Sequence, residues 1–306
     1  MKTLTTLVIS LLVPQLVFSA VIKPEDQSFV KVANPDAKLD TLATGLRFTE
    51  GPVWIAAEGS DGYLLFSDIP ADIIYRWSAG DGLSPWRSPS GKSNGLLLDS
   101  AGRLLACEHG NRRVSLVLSP DSAVTLCGSY NGGKLNSPND IALDADGSLW
   151  FTDPPYGLEG QKQEQPAQYV FHMPAGGGEP VVVAGDFYRP NGIVFSPDKK
   201  TLYISDSGKR LVRSFSVTPD GLRENDLFAE ISPGGPDGMC VDESGRVYVT
   251  AGDGVQVFSP EGKLLGRILT PQKPTNCCFG GKEYKTLFIT ARPDVYAVKL
   301  MVCGLP

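Results

Sequence analysis

Histidine is scarce in this chain: two residues in 306, His109 and His172. The six cysteines form no CxxC pair and no cluster with histidine, so the sequence does not support a zinc centre of the usual Cys/His kind. Basic runs are also missing, and the net charge is −6. That argues against nucleic acid or an anionic membrane surface as a partner. No segment keeps a helical period of 3.6, which removes helical bundles and mixed α/β folds. No linker or shift in composition divides the chain.

The one concentrated apolar stretch lies at the N-terminus. Lys2 precedes a mostly apolar segment over residues 7–18, and Val17, Phe18 and Ser19 supply a tolerated cleavage pattern. Residues 1–19 read as a signal peptide, cut after Ser19 or after Ala20. An uncleaved anchor is the alternative, but the stretch is short for a membrane span. No cysteine follows it, so lipid attachment is not expected. The protein is therefore expected to be secreted or periplasmic, without a membrane partner once the signal is removed. Residues 20–306 read as one domain.

What is abundant is glycine (34) and proline (24), as many turns between short strands require. The turns fall at a regular spacing. Around residues 135–155 the chain reads LNSPNDIALDADGSLWFTDPP, and the same pattern occurs six times. It begins at Glu50, Asn94, Asn139, Asn191, Asp237 and Asn276, at intervals of 44, 45, 52, 46 and 39 residues. A β-rich tetrapeptide follows each start by 10 to 14 residues: LLFS, LLAC, LWFT, LYIS, VYVT and LFIT. Six units of this length, each with three or four strands, predict an all-β, six-bladed β-propeller. Residues 39–48 offer a strand to close the ring. Residues 156–168 form a Gly/Gln/Glu-rich insert, expected as a surface loop over one end.

In a propeller the six starting residues converge at one mouth of the central channel. Two carboxylates and four amides in one ring are hard oxygen donors that suit Ca2+. Turn chemistry is the competing explanation for Asn94-Gly95, Asn191-Gly192 and Asp237-Gly238, but it does not explain Glu50 or an oxygen donor at all six starts. The second strands end in further acids, Asp68, Glu108, Asp153 and Asp206, with Asp68 and Asp206 expected as turn residues at the far end. His109 is read either as a surface turn or as a residue near the site. His172 is expected to be structural, and Arg189 and Arg292 to be surface residues rather than substrate contacts. Cys107, Cys240, Cys277 and Cys278 fall in or beside strand motifs as small apolar residues. Cys107 and Cys127 could bridge strands of one repeat.

These motifs are similar to those of the gluconolactonases and senescence-marker-type lactonases, a family that also includes luciferin-regenerating proteins. The carriers are EGPVW at 50–54, SNGL at 93–96, LLACEHGNRRV at 104–114, LNSPND at 135–140, LWFTDPPYG at 149–157, RPNGI at 189–193, PDGMCVD at 236–242 and NCCFGGKEYKTLFIT at 276–290. CEHGNRRV and TDPPYG look more like the bacterial gluconolactonase branch. The resemblance implies a metal-dependent hydrolase that opens a sugar lactone. It implies one divalent cation, calcium before Mg2+, Mn2+ or Zn2+, on Glu50, Asn191 and Asp237, with Asn139 as ligand or substrate contact. Asp237 would assist the attacking water, and Asn94, Asn139 and His109 would meet the substrate. The animal branch has an arginine where this chain has Ser137, a departure that bears on which lactone is bound. Hydrolysis of phosphotriesters or aryl esters, or a non-catalytic ligand-binding propeller, are the alternative functions. The protein is expected as a monomer or small homo-oligomer.

Overall fold

A computed structural model describes residues 21–305, apart from 58, 60, 176, 177, 219 and 220. The signal peptide expected over 1–19 lies outside the described residues. Six antiparallel sheets of four or five strands stand around a central axis, one per repeat, and a two-stranded ribbon pairs Ser129–Tyr130 with Gly133–Lys134. Blade one, for example, runs Thr49–Ile55, Tyr63–Asp68, Ile73–Ser78 and Gly82–Arg87, from the axis outwards. The six inner strands begin within two residues of the six starting residues, from Thr49–Ile55 in blade one to Asn276–Gly280 in blade six. Among the described residues there is no α-helix.

The N-terminal segment completes the ring. Leu39–Ala43 pairs antiparallel with Asp294–Lys299, with Leu39 opposite Val298, and so becomes the outer strand of blade six. Thr49 then bridges Arg292 as the chain enters blade one. The expected closing strand is thus present. A further strand, Ile22–Pro24, lies along Leu264–Leu269 as a fifth strand of blade five.

The core is six layers, each between two neighbouring blades, instead of one central cluster. Between blades six and one, Trp54, Leu64 and Phe66 pack on Phe288, Val295 and Ala297. Trp54 stacks on Phe288 with centroids 5.0 Å apart. Between blades two and three, Leu105, Cys107 and Val114 meet Ile141, Phe151 and Phe171. This follows from alternation: successive side chains of one strand face opposite neighbours, so the tetrapeptides fill both interfaces of their blade.

Cys107 and Cys127 are free. Both lie opposite Val114, one on each side of it. Two strand spacings, roughly 9–10 Å, separate their backbones, too far for the bridge that the spacing suggested.

Candidate active site

The second strand of each blade returns antiparallel, so its last residue lies level with the first residue of the inner strand. Asp68 pairs with Thr49, Glu108 with Ser93 and Asp206 with Pro190. These acids are therefore at the same mouth as the ring, not at the far end. All three are buried. Asp68 accepts from the backbone N–H groups of Arg47 and Phe48, and Asp206 from those of Tyr188, Arg189, Gly208 and Lys209, whereas Glu108 accepts from the side chains of Asn111, Arg113 and Ser115. Their role is to shape the loops around the mouth.

In blades one, three and four a hydroxyl near the end of the second strand fixes the ring itself. The Ser67 Oγ donates to the Asn94 carbonyl (2.8 Å), Thr152 Oγ1 to that of Asn191 (2.7 Å) and Ser205 Oγ to that of Asp237 (2.9 Å). Each bond crosses to the next blade. The glycines after the ring residues serve the same close approach. A Cβ at Gly51 would lie 2.0 Å from the Asn94 oxygen, one at Gly95 2.6 Å from the Asn139 oxygen, and one at Gly192 2.5 Å from the Asp237 oxygen. Gly95, Gly192 and Gly238 do not have positive φ, so turn conformation is not why they are glycine. They are glycine because the next blade leaves no room for a side chain.

Five of the six ring residues, Glu50, Asn94, Asn139, Asn191 and Asp237, line one cavity of about 430 Å3. Asn276 does not. It sits below, lining a second, largely apolar axial cavity of about 290 Å3 together with Asp140. Its side chain hydrogen-bonds the carboxylates of Glu50 and Asp140, so the pair stands between the two cavities. Asp140 had no signal of its own in the sequence except that it takes the place where four other repeats have glycine.

Glu50 is buried, and its Oε2 accepts from the Gly51 N–H at 3.0 Å. Its acidity is weakened well beyond the ordinary carboxylate range by burial and then by the charge of Asp237. Asp237 is likewise raised, first by burial, with Lys273, Asn191 and Arg292 opposing. Neither carboxylate forms an ion pair among the described residues. Asn94 directs its amide nitrogen at His109 Nε2, 3.2 Å away, and its Oδ1 is buried without a partner. Because an amide NH2 can only donate, Nε2 accepts and the imidazole proton sits on Nδ1. Burial holds His109 down to about 4, so it is neutral at pH 7. The surface-turn reading of His109 is thus wrong; the insert loop covers it, with Gly157 lying directly on its ring.

The same insert brings Tyr156 into the cavity, where it hydrogen-bonds with Ser207 and Asn191. Asn191 Nδ2 donates to Ser207 Oγ at 3.1 Å. Ser137 is fully buried and pins the insert, donating to the Pro154 carbonyl at 2.6 Å and accepting from the Gly157 N–H at 2.8 Å. It does not line the cavity. Arg189 and Arg292 are exposed, as expected of surface residues, yet both line the mouth, with Lys273 beside them. His172 packs in a tilted arrangement against Trp150 in blade three, away from the mouth. Lys273, Tyr156 and Ser207 fall between blades or at strand ends, where no periodic pattern marks them.

No cluster of three His, Cys, Asp or Glu side chains suited to a metal occurs among the described residues. The donors gathered here are instead two carboxylates and three amides, the set a hard cation takes. This defines a propeller with an open oxygen-donor site at one mouth. A family model for the SMP-30/gluconolactonase/LRE-like region matches residues 48–292, and the chain belongs to that family. It is 32% identical to the gluconolactonase of Zymomonas mobilis, over 92% of this chain and 85% of that protein. It is 30% identical to regucalcin of Sus scrofa, over 80% and 83%. The solved gluconolactonase of Xanthomonas campestris superimposes with a TM-score of 0.85 at 33% identity, covering 91% of this chain and 94% of that one.

Proposed function

We propose that this protein is a divalent-cation-dependent lactonase that opens a sugar lactone to its hydroxy acid. Lactone hydrolysis is the activity for which its gluconolactonase relatives are named. The cation dependence rests on one observation: two carboxylates without an ion-pair partner, the buried Glu50 and the half-buried Asp237, face the same cavity as the unpartnered Asn94 Oδ1. Burying two like charges together is costly unless a cation compensates them. Glu50, Asn139, Asn191 and Asp237, with the Asn94 Oδ1 beside them, fit Ca2+ better than zinc, since all are oxygen donors and no histidine or thiol joins them.

A cation held there would polarise the lactone carbonyl and stabilise the negative charge that develops on its oxygen. The remaining work falls to the chain. Tyr156 and Ser207 hold the Asn191 amide, and His109 holds that of Asn94 so that Oδ1 faces the cavity. Asp237 takes a proton from the attacking water as its oxygen bonds to the carbonyl carbon. The acyl C–O bond then breaks and the ring oxygen receives that proton. One water is consumed, and one hydroxyl and one carboxylic acid appear. The signal peptide expected over residues 1–19 supports a periplasmic or extracellular location, which N-terminal sequencing of the mature protein would test.

The direct test is proton release from glucono-δ-lactone, corrected for spontaneous opening, before and after chelation and with Ca2+, Mg2+, Mn2+ or Zn2+ restored. Activity should vanish on chelation, return with the preferred ion, and be lost in Asp237→Ala. Full activity in the chelated protein or in that variant overturns the reading.

A further inference from the structure

The protein carries a net charge of −6, yet the mouth of this site is cationic. Arg189, Lys273 and Arg292 all line it. None makes an ion pair or a side-chain hydrogen bond among the described residues. Basic residues a short way round the same face are paired, Lys92 with Glu159 and Arg112 with Glu164. The Arg189 side chain and the Arg292 backbone are also held in place. The Arg189 guanidinium lies over the rings of Tyr156 and Tyr188, 5.5 and 5.7 Å from their centroids. Arg292 projects from a left-handed backbone position, φ 55°, whose carbonyl is bound by both the N–H and the Oγ1 of Thr49. Lys273 lies two residues after Pro271 and immediately before Pro274, which narrows its backbone.

The two acids deep in the cavity do not account for all three. A divalent ion on Glu50 and Asp237 would compensate both, leaving three positive side chains facing the bound substrate. A neutral lactone makes no use of that charge. We infer that the lactone opened here carries an anionic group, phosphate or carboxylate, remote from the carbonyl under attack. Arg189, Lys273 and Arg292 receive that group while the oxygen-donor ring meets the carbonyl. The inference rests on the lactonase reading and narrows its substrate.

Three substrates separate the possibilities: glucono-δ-lactone, its 6-phosphate, and glucaro-1,4-lactone, which bears a carboxylate. At low ionic strength the wild-type kcat/KM should favour at least one anionic lactone by roughly tenfold or more, and the preference should collapse near about 0.5 M salt, where charges are screened within a few ångströms. The two anionic substrates show whether phosphate or carboxylate is preferred. Lys273→Gln and Arg189→Gln, made singly, should lower kcat/KM for the preferred anionic lactone at least about fivefold more than for glucono-δ-lactone. Hydrolysis of glucono-δ-lactone with no preference for either anionic substrate overturns this inference and leaves the lactonase reading intact. No hydrolysis of any of the three overturns both.

Discussion

The Thr152 hydroxyl donates to the main-chain carbonyl of Asn191, 2.7 Å away in the next blade. It also accepts from the Asp140 N–H at 3.2 Å. One buried side chain therefore joins the inner strands of blades three and four at the depth where Asn139, Asp140 and Asn191 sit. Ser67 and Ser205 make the corresponding bond to Asn94 and Asp237. The ring donors are held by bonds between blades, so the ring's shape depends on blade packing.

Thr152→Val keeps the shape and removes the hydroxyl. It leaves the Asn191 carbonyl buried without its donor, at a cost of about 1–3 kcal/mol, and each kcal/mol lowers the melting temperature by about 2–4 °C in a chain of this size. Cation affinity should fall as well, because Asn191 is no longer fixed. Thr152→Ser should retain both properties. Thermal melts and Ca2+ titration calorimetry check this; equal behaviour of the two variants would show that the clasp does not position the site.

His109 acts on Asn94 rather than as a charge. Its pKa of about 4 predicts no inflection from His109 in the activity profile between pH 5 and 8. His109→Ala frees the Asn94 amide to turn and should weaken cation binding about 10- to 100-fold, the usual effect of losing a group that orients a ligand. His109→Gln offers an acceptor in a similar place and should recover part of that loss. Affinity in the alanine variant equal to wild type would sever His109 from the site.

Much of this was legible in the chain, and what was not has physical reasons. The period and the tetrapeptides predict six blades because inner and second strands are buried on both faces and so are written in apolar residues. Outer strands are not. Gly221–Glu230 is mostly exposed and reads GLRENDLFAE, without alternation. Asp68 and Asp206 read as far-end turn residues, although antiparallel pairing alone returns them to the ring's mouth. Asp140 was hidden because the residue after each ring donor is usually glycine, and a carboxylate there resembles a turn. His109 and Tyr156 depend on the insert folding back over blade two, a contact that no local pattern encodes.

The glycines after the ring donors make a sharper test of the fold. A Cβ at Gly238 would fall 2.0 Å from Cγ of Asn276 and within 2.5 Å of its amide nitrogen. Asn276 is itself held by Glu50 and Asp140, so it has little freedom to move aside. Gly238→Ala should lower stability by about 1–3 kcal/mol or more and disturb Glu50 through Asn276. Gly80→Ala, where nothing lies within 4 Å and φ is not positive, should change the melting temperature little. Similar melts for both variants would mean that blades five and six are not this tightly packed.

The buried acids make the cation-free protein sensitive to alkali. Burial pushes Asp140 and Asp153 up to about 7, and burial plus the Asp237 charge raises Glu50. A folded-state pKa above the unfolded value means that the folded form binds its proton more tightly, so stability is full below the unfolded pKa and declines as pH rises. In chelator, the melting temperature should therefore fall from about pH 4 to about pH 7. Glu50→Gln removes one buried charge and should melt higher than wild type at pH 8 without metal. Calcium at about 100 times its Kd should then stabilise wild type by about 2.7 kcal/mol and the Glu50→Gln variant far less. If the variant instead melts below wild type in chelator at pH 8, the Glu50 carboxylate is stabilised by the fold alone and the case for a cation between Glu50 and Asp237 fails.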